Sequence, residues 1–359
     1  MISYYTIVAM PLVVAFFMKL TPFGSINSND QSRRIYIGIC AVTMFLVFGL
    51  AYHGLGSGDG KWYYSNWKYL SGVQIKKMWK VIDGIDIEKG YLIFAWITSH
   101  IFPNPQMLHI CYGLLLASAF SIFMYENCED LVLGYMMFYC LGMWSFLIQG
   151  IRQGMAMAIC LFAVSFCKQR RIVPFILLVL LAMTFHASAI VFFVVIFLPR
   201  IELNLKGYTA AVAGIIILTG AVNYLVSFFN IIINDSYKIT AELGGGGAVT
   251  LLCYFAILVL FLLLLPRDEK LDPDNRLFFY MTLFGFVTFL MRYNILAISE
   301  RVSIYFMFGQ FILLPKVIRR IEPTQAIIAK MIIYLLCFGL MAYKSRTSEI
   351  YPFLFCWDV

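Results

Sequence analysis

Long apolar runs, broken by short connectors that carry charges, glycine or proline, dominate this chain. A helix needs about 20 apolar residues to cross a bilayer, and shorter runs suffice where protein surrounds them. Runs near 2–19, 35–54, 105–125, 130–150, 152–167, 172–186, 187–199, 207–226, 248–265, 276–295, 301–318 and 325–343 predict about 12 spans. Residues 90–102, between Gly90 and Pro103, are apolar but too short, and predict a re-entrant or interfacial helix. The expected fold class is all-α: one polytopic transmembrane helical domain over residues 1–359. The first run lacks a preceding basic stretch and is followed by Lys19, so it reads as a retained span.

The pair 172–186 and 187–199 stands apart. Crossings of 15 and 13 residues are too short for lipid-facing helices, and His186 lies at their shared tip. Paired short segments of this kind mark a protein-lined cavity. Lys19/Arg33/Arg34, Lys168/Arg170/Arg171, Arg200/Lys206, Arg267/Lys270/Arg276 and Lys316/Arg319/Arg320 sit in short connectors. All five clusters fall on the cytoplasmic side if 90–102 does not cross, which leaves both termini outside. Two loops then belong to the outer face, residues 56–89 and the Gly-rich residues 227–247. The first carries six lysines, against the charge rule.

Composition narrows the function classes. Only 13% of residues are charged, where roughly 25% is usual for a soluble domain. That excludes a soluble, disordered or basic nucleic-acid-binding protein. The net charge of +8 fits Lys and Arg at cytoplasmic span ends, beside anionic lipid. The nine cysteines form no CxxC pair or zinc-type cluster and read as small lipophilic side chains. Neither a metal nor a cofactor is expected. Asp272-Pro273-Asp274 mimics a metal-binding Asp-x-Asp but reads as a solvated turn in a charged connector.

Under this topology the unusual polar residues share the outer face: Asp59, Glu88, Arg152, Gln153, His186, Arg292, Glu300 and Arg301. A charge inside a span costs at least ~2.5 kcal/mol, so such residues face a wet cavity or a partner. Arg152 and Gln153 lie among small residues, Gly150, Gly154, Ala156 and Ala158, which allow close approach of a headgroup. Arginine offers a planar fork suited to phosphate oxygens. His186 is a candidate base for a sugar hydroxyl or a support for a phosphate. Tyr305 lies one helical turn beyond Arg301. A local ion pair accounts for Glu300 and leaves Arg292 unexplained. Asp59 follows a Gly-rich stretch and precedes Trp62, Tyr63, Tyr64 and Trp67, equipment for carbohydrate that serves equally as an interfacial aromatic belt.

At these residues the chain resembles the EpsG family of Wzy-type bacterial polysaccharide polymerases. The motifs are Gly56-x-x-Asp59 with Tyr63 and Tyr64, Glu88-x-Gly90-Tyr91, Arg152-Gln153-x-x-Ala156, Phe185-His186-x-Ser188-Ala189, and Glu300-Arg301 with Tyr305. Family members usually carry an arginine where this chain has His53. The resemblance implies a GT-C-like membrane glycosyltransferase of the bacterial inner membrane. It would move a growing glycan from undecaprenyl diphosphate to the non-reducing end of a lipid-linked repeat unit on the periplasmic face. The partners implied are lipid-linked oligosaccharide as donor and acceptor, membrane lipid and a chain-length regulator. Arg152, Arg301 and Arg292 would hold the diphosphate without a metal. His186 or Asp59 would take the acceptor proton, with Gln153, Glu88, Tyr91, Tyr305 and Tyr64 positioning substrate. Two other readings are a membrane O-acyltransferase of surface glycans and a lipid-linked oligosaccharide transporter.

Reporter fusions at residues 170 and 240 are expected to report opposite sides of the membrane. The same side for both would break the common-face grouping.

Overall fold

A computed structural model of the chain describes residues 2–20, 26, 29–52, 59–217, 248–291, 297–347 and 353–357. Seventeen α-helices are described. In chain order they are α1 (Ile2–Lys19), α2 (Asp30–Gly49), α3 (Asp59–Ser71), α4 (Ile75–Asp83), α5 (Lys89–Ile101), α6 (Gln106–Asn127), α7 (Leu131–Cys140), α8 (Met143–Gln149), α9 (Ile151–Lys168) and α10 (Ile172–Phe185). A 3-10 segment, Ala187–Ile196, and a 3-10 turn, Leu198–Arg200, follow. The rest are α11 (Leu205–Ile217), α12 (Ala248–Leu264), α13 (Arg267–Leu271), α14 (Pro273–Met291), α15 (Ala297–Phe306), α16 (Phe308–Ile318) and α17 (Pro323–Thr347). Among the described residues there is no strand, only an isolated bridge between Ala51 and Phe355.

Among the described residues, four helices are long and apolar enough to cross a membrane: α2, α6, α9 and α17. A fifth span forms if α7 and α8 count together, across a bend of 57°. The bend falls at Gly142, whose φ of 88° is open to glycine and strained for other residues. The 13-residue α5 occupies the segment expected to be too short to cross. Residues 56–89, expected as a loop, carry α3 and α4. Residues 227–247 lie outside the described residues.

Buried aromatic packing locks the centre. Phe120 of α6 meets Phe138 of α7 at 4.4 Å between centroids, and Phe308 and Phe311 of α16 at 6.0 and 6.4 Å. The periphery reverses the soluble pattern: Phe16, Val42, Leu177, Ile217, Leu263 and Leu335 are exposed apolar side chains that only lipid would cover. Among the described residues, no disulfide joins any of the nine cysteines.

Cations from all five connector clusters gather at one end of the bundle. Arg33 donates to the carbonyls of Tyr125 and Cys128 at 3.1 Å each. Lys168 pairs with Asp274 at 3.0 Å, and Lys316 donates to Asn275 at 2.6 Å. Arg320 bridges Glu129 (3.2 Å) and Glu269 (2.7 Å), while Arg200 and Arg276 share a cavity wall with Lys168. Arg152 stands at the other end of α9 from Lys168, ~24 Å away at 1.5 Å per residue.

Close contact between α2 and α6 depends on paired glycines. A Cβ at Gly113 would fall 2.7 Å from the Gly49 backbone nitrogen and 3.0 Å from its Cα. Backbone cannot retreat as a flexible side chain does. Gly113→Val is expected to destabilise the protein by about 1–3 kcal/mol, read as a lower thermal midpoint in detergent. Gly38→Ala, which meets nothing within 4 Å, should leave the midpoint unchanged or raised.

Candidate functional site

The site is built where the start of α9, the tip between α10 and the 3-10 segment, the start of α5, and α15 meet. Gly150 separates α8 from α9 and sets Arg152 in the first turn of α9. A Cβ at Gly154 would lie 2.0 Å from Tyr112 Oη, so only glycine lets α6 approach here. Tyr112 uses that approach to donate its hydroxyl to the Leu147 carbonyl at 2.8 Å.

Glu88 joins three elements. At Gly90 a Cβ would fall 2.2 Å from Thr184 Oγ1 and 2.6 Å from the Thr184 carbonyl oxygen. The missing side chain therefore seats the start of α5 on the last turn of α10. Glu88, the N-cap of α5, is buried. Its Oε1 accepts from the Ala187 backbone N–H at 3.3 Å, and its Oε2 accepts from Arg152 Nη1. One carboxylate thus caps the 3-10 segment and holds the guanidinium. Glu88 is the buried partner, so removing Arg152 strands a buried carboxylate, a loss that typically costs about 3–5 kcal/mol.

His186 ends α10 and opens the 3-10 segment. Its Nδ1 faces the Ser188 N–H at 3.4 Å and Ser188 Oγ at 2.7 Å. A backbone N–H can only donate, so Nδ1 is the bare nitrogen and the neutral ring carries its proton on Nε2. Ser188 Oγ also lies 3.3 Å from Tyr305 Oη, tying the tip to α15. From the other side, Gln153 Nε2 donates to the Arg301 carbonyl at 2.7 Å.

These tethers surround a cleft of about 220 Å³ whose wall includes Tyr63, Gln149, Arg152, Gln153, His186 and Arg301. Aromatic rings flank it. The Arg152 guanidinium lies 5.7 Å from the Trp62 ring centre, and Trp62 stacks on Tyr91 at 6.3 Å. Tyr91 is fully buried, and its hydroxyl has no hydrogen-bond partner among the described residues.

The structure therefore brings together Glu88, Tyr91, Arg152, Gln153, His186, Arg301 and Tyr305. Tyr64 is half-buried in α3 and does not line the cleft; its neighbour Tyr63 does. Asp59 opens α3, one helical turn before Tyr63, and its side chain lies outside the described set, as does that of Glu300. Arg292 lies outside the described residues. Gln149 carried no expected site role, and Trp62 was expected only among the aromatics suited equally to carbohydrate or an interfacial belt. A lone amide in the apolar run before Gly150 was the available signal for Gln149. Among the described residues, no three His, Cys, Asp or Glu side chains cluster. Two guanidiniums and an imidazole in one cleft suit an anionic ligand.

The EpsG family's sequence pattern matches residues 34–355. No curated protein and no solved structure matches the chain. With nearly its whole length matched, and with apolar helices of membrane-spanning length among those described, the chain belongs to the EpsG family, a family of Wzy-type polysaccharide polymerases.

Proposed function

We propose that this protein is a polymerase of the bacterial inner membrane that transfers a growing glycan from undecaprenyl diphosphate to a lipid-linked repeat unit. The acceptor is the non-reducing-end sugar, and the cleft faces the periplasm. About 12 crossings in a GT-C-like arrangement, with the broken and short helices completing the bundle, belong to the same reading. The observation that carries it is the convergence of Arg152, Arg301 and His186 on one cleft, ~24 Å along α9 from the cationic end.

In the reaction, the bond from the donor's anomeric carbon to the diphosphate oxygen breaks. A bond to the acceptor hydroxyl oxygen forms, its proton passes to a base, and undecaprenyl diphosphate departs. Charge develops on the leaving oxygen, where Arg152 and Arg301 would stabilise it without a metal, assisted by Arg292. Since Nδ1 of His186 is taken up by Ser188, the ring would act as an N–H donor from Nε2 toward a diphosphate oxygen. Asp59 would then be the base that takes the acceptor proton. Trp62 and Tyr63 would offer their ring faces to a sugar, and Tyr91, fully buried behind them, would position Trp62, on which it stacks. Glu88 would position Arg152, and Gln153 and Tyr305 would hold α15 against the tip. A chain-length regulator would act on this product from outside the chain.

Reconstitution with a lipid-linked repeat unit tests the reading: wild-type protein should give a ladder of polymer lengths. Arg152→Lys keeps the charge but loses the fork, and is expected to cut polymerisation by about 100-fold. No ladder from folded wild-type protein would end the polymerase assignment.

His186→Gln is expected to keep far more activity than His186→Ala, because an amide N–H can stand near the Nε2–H position. Equal loss in both, with each protein monodisperse, would return the base role to His186.

A further inference from the structure

A second cavity, of about 250 Å³, opens at the cationic end of the bundle, between the end of α9, the start of α10, the 3-10 turn and the start of α14. Lys168, Arg170, Arg200 and Arg276 line it, against one carboxylate, Asp274. Lys168 pairs with that carboxylate at 3.0 Å. Among the described residues, no carboxylate forms an ion pair with Arg170, Arg200 or Arg276. Three guanidiniums therefore share one concavity whose single lining carboxylate is already paired with Lys168.

Three further features point to an occupant. Arg276 Nε is buried with no hydrogen-bond partner among the described residues. An N–H of a charged group withheld from water and left unmatched is unfavourable, and an oxyanion would relieve it. Helix α10 opens onto the cavity at Ile172, and its N-cap residue Arg171 makes no side-chain cap hydrogen bond. The first-turn amides and the positive end of the helix dipole add to the field there. Arg170 has a φ of 57°, a left-handed conformation that glycine or asparagine adopts more readily. An arginine is held there against its backbone preference, on the cavity wall. Ordinary cationic span ends lie along an open surface beside headgroups; these line a pocket and include a buried donor.

We propose that this cavity is a second anion site that binds a phosphate group, separate from the Arg152 cleft and at the opposite end of α9. Fork-shaped donors from three directions fit the oxygens of a phosphate monoester or diester. A phospholipid headgroup and a soluble phosphate share that chemistry.

Full-length protein in lipid nanodiscs separates the two sources. In one arm, phosphatidylglycerol is mixed with phosphatidylcholine, and native mass spectrometry counts the phosphatidylglycerol retained after bulk lipid is stripped. In the other, inorganic phosphate is titrated calorimetrically into protein held in phosphatidylcholine alone. Retention of phosphatidylglycerol or saturable phosphate binding is expected, the first marking a lipid and the second a soluble ligand. Arg276→Gln and Arg200→Gln should each weaken it by about tenfold. Arg200 is exposed, so its variant reports even if the Arg276 variant fails to fold. Arg319→Gln, at the same end but outside the cavity wall, should bind as wild type. The proposal is overturned if neither ligand binds, if the Arg200 variant binds as wild type, or if Arg319→Gln weakens binding as much.

Discussion

The carboxylate of Glu88 cannot be buried alone, and the architecture around the cleft follows from how its charge is met. Arg152 supplies the opposite charge from α9, and Ala187 supplies an N–H from the 3-10 segment. Neither reaches Glu88 unless α5 lies hard against α10, which is why Gly90 faces Thr184 with no room for a Cβ. The same guanidinium that balances Glu88 also lines the cleft. The ion-paired group and the cleft-lining cation are one, so under the proposed function substrate binding and local folding are linked through it.

A second constraint works over the length of α9. Small residues at its start let α6 come close and let Tyr112 satisfy the Leu147 carbonyl at the α8–α9 break. At its far end, Lys168 joins Asp274 and the cationic end of the bundle. The helix is thus a rigid strut with one polar pole at each end. Exposed apolar side chains between the poles leave lipid as the natural surrounding.

Much of this was legible in the sequence, for physical reasons that differ by residue. Apolar runs located helices because a membrane segment must satisfy its own backbone hydrogen bonds. The breaks inside those runs, at Gly142 and at Met307 between α15 and α16, were not resolved, since composition stays apolar across them. Residues 56–89 were read as a loop because six lysines hid α4. That helix buries Met78 and Ile82, four residues apart, and exposes Lys76, Lys77 and Lys80, a surface-helix pattern too short to register as a span. Arg152, Gln153, His186 and Arg301 were found by being polar where polar residues are costly. The Glu88–Arg152 bond links positions 64 apart in the chain, and no local rule reports such a pairing. The state of His186 was within reach, because Ser188 lies two residues on, where Ser commonly meets a backbone turn.

The central claim is that Glu88 and Arg152 form one buried unit that organises the cleft, and a double-mutant cycle on their thermal stability tests it directly. Glu88→Gln and Arg152→Gln should each lower the unfolding midpoint of the purified protein, Arg152→Gln the more, because it strands a buried carboxylate. The double variant should recover most of the loss, with a coupling of about 2 kcal/mol or more. A double variant whose destabilisation equals the sum of the single losses would show that the two residues act independently, and would contradict the account.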